Sequence, residues 1–179
     1  MTLVPAQPGA VFDTPGLARR LAAFTYEGVL LFGVVVIAGY LYSALTLQRH
    51  ALQGQAGLQA FLFIVLAIYF VWFWSHGGQT VAMRAWHVRL VARDGKAVSQ
   101  ARATLRYLAS WIWFVPALLW LRLAGLHSAT QAFAALTLGV VGYAWLALLQ
   151  PERQYWHDAL CGTRLVLWRA PAGRAQSAA

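Results

Sequence analysis

An acid and a base with an unusual setting lie close together near the start of this sequence. Glu27 is part of residues 21–47, which are almost wholly apolar, and Arg20 precedes it by seven residues. Seven residues are nearly two helical turns, so both side chains are expected on one helix face, with about 10 Å of rise between them. A carboxylate inside a bilayer costs roughly 3 kcal/mol unless it is protonated, paired or facing water. Glu27 is therefore a candidate site for an ion or a proton.

A second polar group follows the last apolar stretch of the chain. His157, Asp158 and Cys161 lie within five residues, but one His, one acid and one Cys match no standard zinc spacing. The chain contains neither Gly-x-Ser-x-Gly nor His-Glu-x-x-His. We therefore predict no catalytic residue, no metal and no cofactor, and a protein that is not an enzyme. Arg20 is expected to reach Asp158 and to close one end of a helix bundle, which leaves Glu27 deeper as the ion site.

Each of these residues also has a structural interpretation. Glu27 is equally an acid that is protonated or hydrogen-bonded between helices, and Arg20 an anchor at the membrane interface. Gly78, Gln79 and Thr80 lack the Gly-x-x-x-x-Gly-Lys frame of a phosphate-binding loop. We interpret them as a turn at the membrane surface.

The composition indicates a membrane protein. Of 179 residues, 60% are hydrophobic and 11% charged, whereas soluble domains carry about 25% charged residues. Apolar stretches of spanning length occur at residues 21–47, 58–75, 107–126 and 132–149. They predict an all-α fold, a transmembrane bundle of four helices. Pro116 predicts a kink in the third span.

The basic residues indicate how these spans are oriented. The formal net charge is +9, but the basic residues are grouped between apolar stretches, so we predict no nucleic-acid partner. Arg and Lys concentrate before span one, between spans two and three, and after span four. By the positive-inside rule, both termini and residues 76–106 face the cytoplasm. This basic face is expected to attract anionic lipid.

The remaining segments complete the predicted domain organisation. Residues 1–18 contain three prolines and are expected to form a flexible cytoplasmic leader. Residues 19–168 form the predicted transmembrane domain, and residues 169–179 a disordered tail.

The basic segment between spans two and three is expected to contain a small hairpin. Residues 86–90 alternate between apolar and polar side chains, the period-two pattern of a half-buried strand. Asp94-Gly95 is a tight-turn signal, after which residues 96–98 return along the strand. Residues 164–168 are also β-prone and are an alternative partner for the first strand.

Three blocks of sequence, in order and with spans between them, carry a recognisable pattern. Their recurring residues are Arg20 and Glu27 in the first block, Gly78, Gln79, Thr80 and Arg106 in the second, and His157, Asp158, Gly162 and Thr163 in the third. Together they resemble the RDD family of small bacterial membrane proteins, named for one Arg and two Asp. Two positions depart from the family pattern, since Glu27 replaces an Asp and Ala82 a usual Gly.

The resemblance implies a helical domain of a bacterial inner membrane that transports unidentified ligands. On this hypothesis Glu27 binds the ion or proton, Arg20, Arg106 and Asp158 form a cytoplasmic gate, and the other recurring residues support them. Four spans enclose little cavity, so a homo-oligomer is expected. The second hypothesis is a non-transporting scaffold, partner subunit or assembly factor, which holds another protein with its cytoplasmic hairpin and tail.

Overall fold

The computed structural model describes residues 13–46, 55–126, 128–150 and 154–168. Residues 1–12 of the predicted leader and the whole predicted tail lie outside these ranges. Residues 13–16 have no regular secondary structure, and the first helix begins at Leu17.

Four segments of the described chain are helical, long and apolar enough to cross a membrane. They are Leu17–Leu45, Gln55–His76, Gln100–Leu123 and Ala129–Leu149. Each predicted span overlaps one of these segments, so the prediction of a multi-pass helical protein is confirmed. The third segment begins earlier than predicted, because the polar residues ahead of residue 107 continue its helix. Arg106 therefore lies on the first turns of a spanning segment rather than in a connection.

The first two spanning segments are the continuous helices α1, Leu17–Leu45, and α2, Gln55–His76. The short helix α3, Val81–Ala85, follows and begins at Thr80, whose hydroxyl accepts a hydrogen bond from the Met83 N–H. A side-chain oxygen at this position satisfies an amide that the first helical turn leaves unpaired.

The third spanning segment is interrupted. Helix α4, Gln100–Ser110, runs into a 3₁₀ turn at Trp111–Trp113, and α5, Val115–Leu123, follows it. Pro116 lies in the first turn of α5, where its missing N–H costs nothing. The predicted kink thus takes the form of a break just before the proline.

The fourth spanning segment consists of helix α6, Ala129–Leu146, and a final 3₁₀ turn at Ala147–Leu149. Ser128 and Gln131 form a capping box at the start of α6, which satisfies two otherwise unpaired backbone amides.

A small sheet makes the described fold mostly helical rather than all-α. Strand β1, Val88–Ala92, pairs with β2, Thr163–Leu167, in antiparallel register, and the short helix α7, Trp156–Leu160, precedes β2. The local hairpin is not formed, because residues 96–98 follow the turn without becoming a strand. The alternative partner predicted at residues 164–168 forms β2 and pairs with β1 instead.

The buried core lies where α2, α4, α6 and the sheet meet. Val88 and Leu90 are almost wholly buried there, and Tyr107 Oη donates to the Phe63 carbonyl at 2.8 Å, joining α4 to α2. Most large apolar side chains on the spans face outward. Phe32 and Phe133, for example, are more than 70% exposed, as expected for side chains that contact lipid.

Candidate functional site

Glu27 is held by two hydroxyl groups from other elements. Its side chain projects from α1 and the residue is 7% exposed. Tyr69 Oη, on α2, donates to Glu27 Oε1 at 2.6 Å, and Thr80 Oγ1, at the start of α3, donates to Oε2. No described basic residue forms an ion pair with Glu27. The carboxyl group therefore joins three elements through neutral partners.

The Gly78–Thr80 segment positions one of these partners. Gly78 has φ +70°, and a Cβ there would lie 2.4 Å from the Leu90 carbonyl oxygen. Leu90 N–H donates to Gly78 O at 2.7 Å, and Gln79 Nε2 donates to Val88 O at 2.8 Å. The segment is thus a turn that attaches β1 to the end of α2 and directs the Thr80 hydroxyl at Glu27.

A second buried cluster forms around Asp158, which is 0% exposed. Arg106 Nε donates to Asp158 Oδ1 at 2.6 Å, and Thr163 Oγ1 donates to the same oxygen at 3.1 Å. The Arg106 guanidinium carbon lies 4.1 Å from the Trp74 ring centroid. Burial by itself raises the pKa of Asp158, but the charge of Arg106 and the hydrogen bonds from Arg106 and Thr163 act together against it, so the pKa lies below its usual range. Asp158 is therefore ionised at neutral pH.

Arg20 does not take the place that the sequence predicted for it. It is 4% exposed, and its Cζ lies 4.6 Å from the Tyr155 ring centroid. Its Nε and Nη1 are buried and have no hydrogen-bond partner within the described chain. The predicted pair with Asp158 was wrong because α4 packs directly on α7, which brings Arg106 to the carboxylate instead.

His157 lies beside this ion pair as a neutral ring. Burial lowers its pKa to about 4. Its Nδ1 accepts from Trp113 Nε1 at 3.2 Å and lies 3.0 Å from Tyr143 Oη. Because a tryptophan N–H only donates, Nδ1 is the acceptor and the ring proton is on Nε2. Nε2 faces Asp158 Oδ1 at 3.7 Å.

Comparison with known proteins identifies a family whose model covers the residues of both clusters. The RDD family model matches residues 14–162, which include Arg20, Glu27, Arg106 and Asp158. The chain belongs to the RDD family. Neither the curated proteins nor the solved structures provide a match to it. With its four apolar helices, this RDD protein is a multi-pass membrane protein.

Sequence analysis missed the aromatic residues that complete both clusters of the RDD protein. Tyr69 holds Glu27, while Trp113, Tyr143 and Tyr155 surround His157. The available signal was that a buried Tyr or Trp needs a partner for its polar atom. That signal does not identify the partner, since residues far apart in sequence supply it.

The remaining recurring residues of the RDD protein lie next to the Asp158 cluster. Gly162 has φ +62°, a conformation that glycine adopts without strain, and its carbonyl accepts from the Arg93 N–H at 2.9 Å. This turn leads from α7 into β2, so that Thr163 reaches Asp158. Within the described residues there is no group of three or more side chains suited to a metal ion.

Proposed function

We propose that this RDD protein carries a proton or small cation across the membrane, with Glu27 as its intramembrane site. The supporting observation is the buried Glu27 carboxyl group, whose described partners are two neutral hydroxyls. A carboxylate in apolar surroundings without a basic partner is balanced by its own proton or by a bound cation. The acid is thus the residue of the spanning helices best suited to exchange a positive charge.

The two hydroxyl partners fit both forms of the acid. Towards a carboxylate, Tyr69 and Thr80 donate. Towards a protonated acid, one hydroxyl turns and accepts, since a hydroxyl is both donor and acceptor. Proton exchange at Glu27 therefore needs only a rotation of one O–H bond.

The Asp158 cluster would close the site at one end of the bundle. Arg106 of α4 forms an ion pair with Asp158 of α7, and Arg20 of α1 packs on the Tyr155 ring. Passage at this end requires α1 and α7 to separate. Arg20, Arg106 and Asp158 are gate residues in this proposal, whereas Glu27 binds the transported charge.

We also propose that the end carrying the sheet faces the cytoplasm of a bacterial inner membrane. The basic residues concentrate at this end, as the positive-inside rule requires. Lys96 is highly exposed there, and Arg84 and Arg102 are exposed as well. These side chains are suited to anionic lipid headgroups.

A specific observation also favours the second function, a non-transporting scaffold. Both oxygens of Glu27 already accept hydrogen bonds, which fasten α1 to α2 and to the turn before α3. Hydrogen bonds that hold helices together in this way need no transported ion. In this function the exposed turn at Asp94 and Lys96 would hold a partner protein.

The deciding experiment compares wild type, Glu27→Gln and Thr25→Val in liposomes. Proton-coupled monovalent cation flux is followed with an internal pH dye. Thr25 is a nearby polar residue of α1 whose side chain is exposed, so its variant is the matched control. We expect flux in wild type and Thr25→Val and loss of at least tenfold in Glu27→Gln, while the melting temperature confirms that each variant is folded.

Other results separate the two functions. Equal flux in folded Glu27→Gln and wild type would contradict the proton site. No flux in any protein, together with a lower melting temperature of Glu27→Gln, would favour the scaffold. The scaffold further predicts that a co-purifying partner is lost when Asp94 and Lys96 are both replaced by Ala.

A further inference from the structure

The polar atoms around Arg20 are incompletely paired. Arg20 Nε and Nη1, the Tyr155 hydroxyl and Asp158 Oδ2 are all buried without a hydrogen-bond partner in the described structure. A buried polar group without a partner costs roughly 1–3 kcal/mol, and more if it is charged. Several such groups in one cluster indicate that a further polar species forms the missing hydrogen bonds.

The residues that carry these atoms are connected through the rings of Tyr155 and His157. Arg20 Cζ lies 4.6 Å from the Tyr155 ring centroid, and that ring stacks on His157 with centroids 5.5 Å apart. His157 in turn faces Asp158. Burial raises the pKa of Tyr155 to about 12, and the charges of Arg20 and Asp158 act on it in opposite directions. The contacts thus run from Arg20 through Tyr155 and His157 to Asp158.

The charge of the site identifies the sign of the missing species. Arg20 and Arg106 are positive, Asp158 is negative, and His157 is neutral because burial lowers its pKa to about 4. The described cluster thus has an excess of one positive charge. Removed from water, such an excess favours one bound monoanion.

The unpaired atoms also define which hydrogen bonds the species makes. Arg20 Nε and Nη1 only donate, so the species must accept from them, and Tyr155 Oη adds a further donor. Asp158 Oδ2 is ionised and only accepts, so the species must donate a proton to it. Chloride and sulfate have no proton to donate and would be repelled by this oxygen.

We propose that the cluster of Arg20, Tyr155 and Asp158 is a binding site for a small, singly charged oxyanion that carries a proton, such as bicarbonate or dihydrogen phosphate. Its deprotonated oxygens accept from Arg20 and Tyr155, and its O–H donates to Asp158 Oδ2. The atoms are covered in the present conformation, so the ligand enters when α7 moves away from α1. This site is separate from Glu27 and does not rest on the function proposed for that residue.

The test is ligand-dependent thermal unfolding of the purified full chain in detergent near pH 7. Sodium bicarbonate and sodium phosphate are titrated separately, with sodium chloride and sodium sulfate at matched ionic strength as controls. We expect the melting temperature to rise with the first two salts, by roughly 5 °C at a hundredfold excess over the Kd. The two titrations also show which oxyanion binds more tightly.

Four variants locate the effect. Arg20→Gln should abolish the response, and Tyr155→Phe, which keeps the ring under Arg20, should raise the Kd about tenfold. Arg102→Gln changes an exposed arginine of α4 and should respond like wild type. Glu27→Gln should also respond like wild type, which separates this site from the transport proposal. Should Arg20→Gln fail to fold, Tyr155→Phe still tests the site.

Other outcomes would overturn the proposal. An equal response to all four salts would indicate a general salt effect, and no response to any salt would indicate that water alone completes the cluster. A response to chloride or sulfate that exceeds the response to bicarbonate and phosphate would contradict the role of Asp158 as proton acceptor. An undiminished response in folded Arg20→Gln would place the ligand elsewhere.

Discussion

Arg106 Nε and Asp158 Oδ1 lie 2.6 Å apart, although the two residues are separated by 52 positions in the sequence. Their ion pair is buried and connects α4 to α7. Thr163, at the start of β2, adds a hydrogen bond to the same oxygen. The end of the bundle that carries the sheet is therefore organised around one carboxylate.

Removal of either partner of this pair should strongly destabilise the fold. We expect Arg106→Gln and Asp158→Asn each to lower the free energy of unfolding by about 3–5 kcal/mol, because each leaves an unpaired charge out of water. Denaturant unfolding in detergent measures this loss. The control is Asp94→Asn, which breaks an exposed pair with Lys96 and should have little effect. A similar small effect at Arg106 would contradict the buried pair.

The stability should fall in mild acid because of His157. Its pKa is lowered to about 4 in the folded protein, against about 6.5 in an unfolded chain. Between these values the unfolded state binds a proton that the folded state does not, so each pH unit of acidification weakens folding by about 1.4 kcal/mol. Melting temperatures measured between pH 7 and pH 4 should show this slope.

Two further observations check the origin of the acid sensitivity. His157→Gln should flatten the slope between pH 6.5 and pH 4, although its stability at pH 7 is lower. The pKa of Asp158 is lowered in the folded state, so the stability that it contributes is present above about pH 4 and is lost below that value. An unchanged slope in His157→Gln would exclude His157 as its source.

Gly78 should tolerate no side chain. Gly78→Ala combines a positive φ with a Cβ placed 2.4 Å from the Leu90 carbonyl oxygen. This oxygen belongs to the backbone of β1, so it cannot move aside as the end of a flexible side chain could. We expect a loss of about 1–3 kcal/mol or more. Gly162→Ala has a positive φ but open space around it, so its loss should be smaller.

Gly77→Ala is the matched control for the glycine series. Gly77 has neither a positive φ nor a neighbour within 4 Å of an added Cβ, so its stability should stay close to that of wild type. Melting temperatures should therefore rank Gly77→Ala highest and Gly78→Ala lowest. Any other order would contradict the close approach of Gly78 to β1.

The hydroxyl of Tyr69 should stabilise the bundle through Glu27. Tyr69→Phe keeps the ring and its packing on Phe73 but removes the donor to Glu27 Oε1. We expect a loss of about 1–3 kcal/mol, because a buried acceptor is left unpaired. Tyr26→Phe, at an exposed position of α1, is the control. Equal stabilities of the two variants would show that the Tyr69 hydroxyl is not needed.

Much of the architecture follows from local sequence. The four apolar stretches alone predict four spanning segments, since spanning length and hydropathy are properties of consecutive residues. Pro116 predicts the break in the third span for the same reason. The β-prone character of residues 86–90 and 164–168 is also local, and so is the placement of Arg20 and Glu27 on one face of α1.

The tertiary structure alone decides which of these elements meet. Arg20 and Arg106 are both arginines near the same end of the bundle, and only the packing of α4 on α7 selects Arg106 as the partner of Asp158. The pairing of β1 with β2 rather than with residues 96–98, and the enclosure of Glu27 by Tyr69 and Thr80, are decided in the same way. Hydrophobic pattern specifies each helix separately, whereas partner choice depends on neighbours in space that the pattern does not encode.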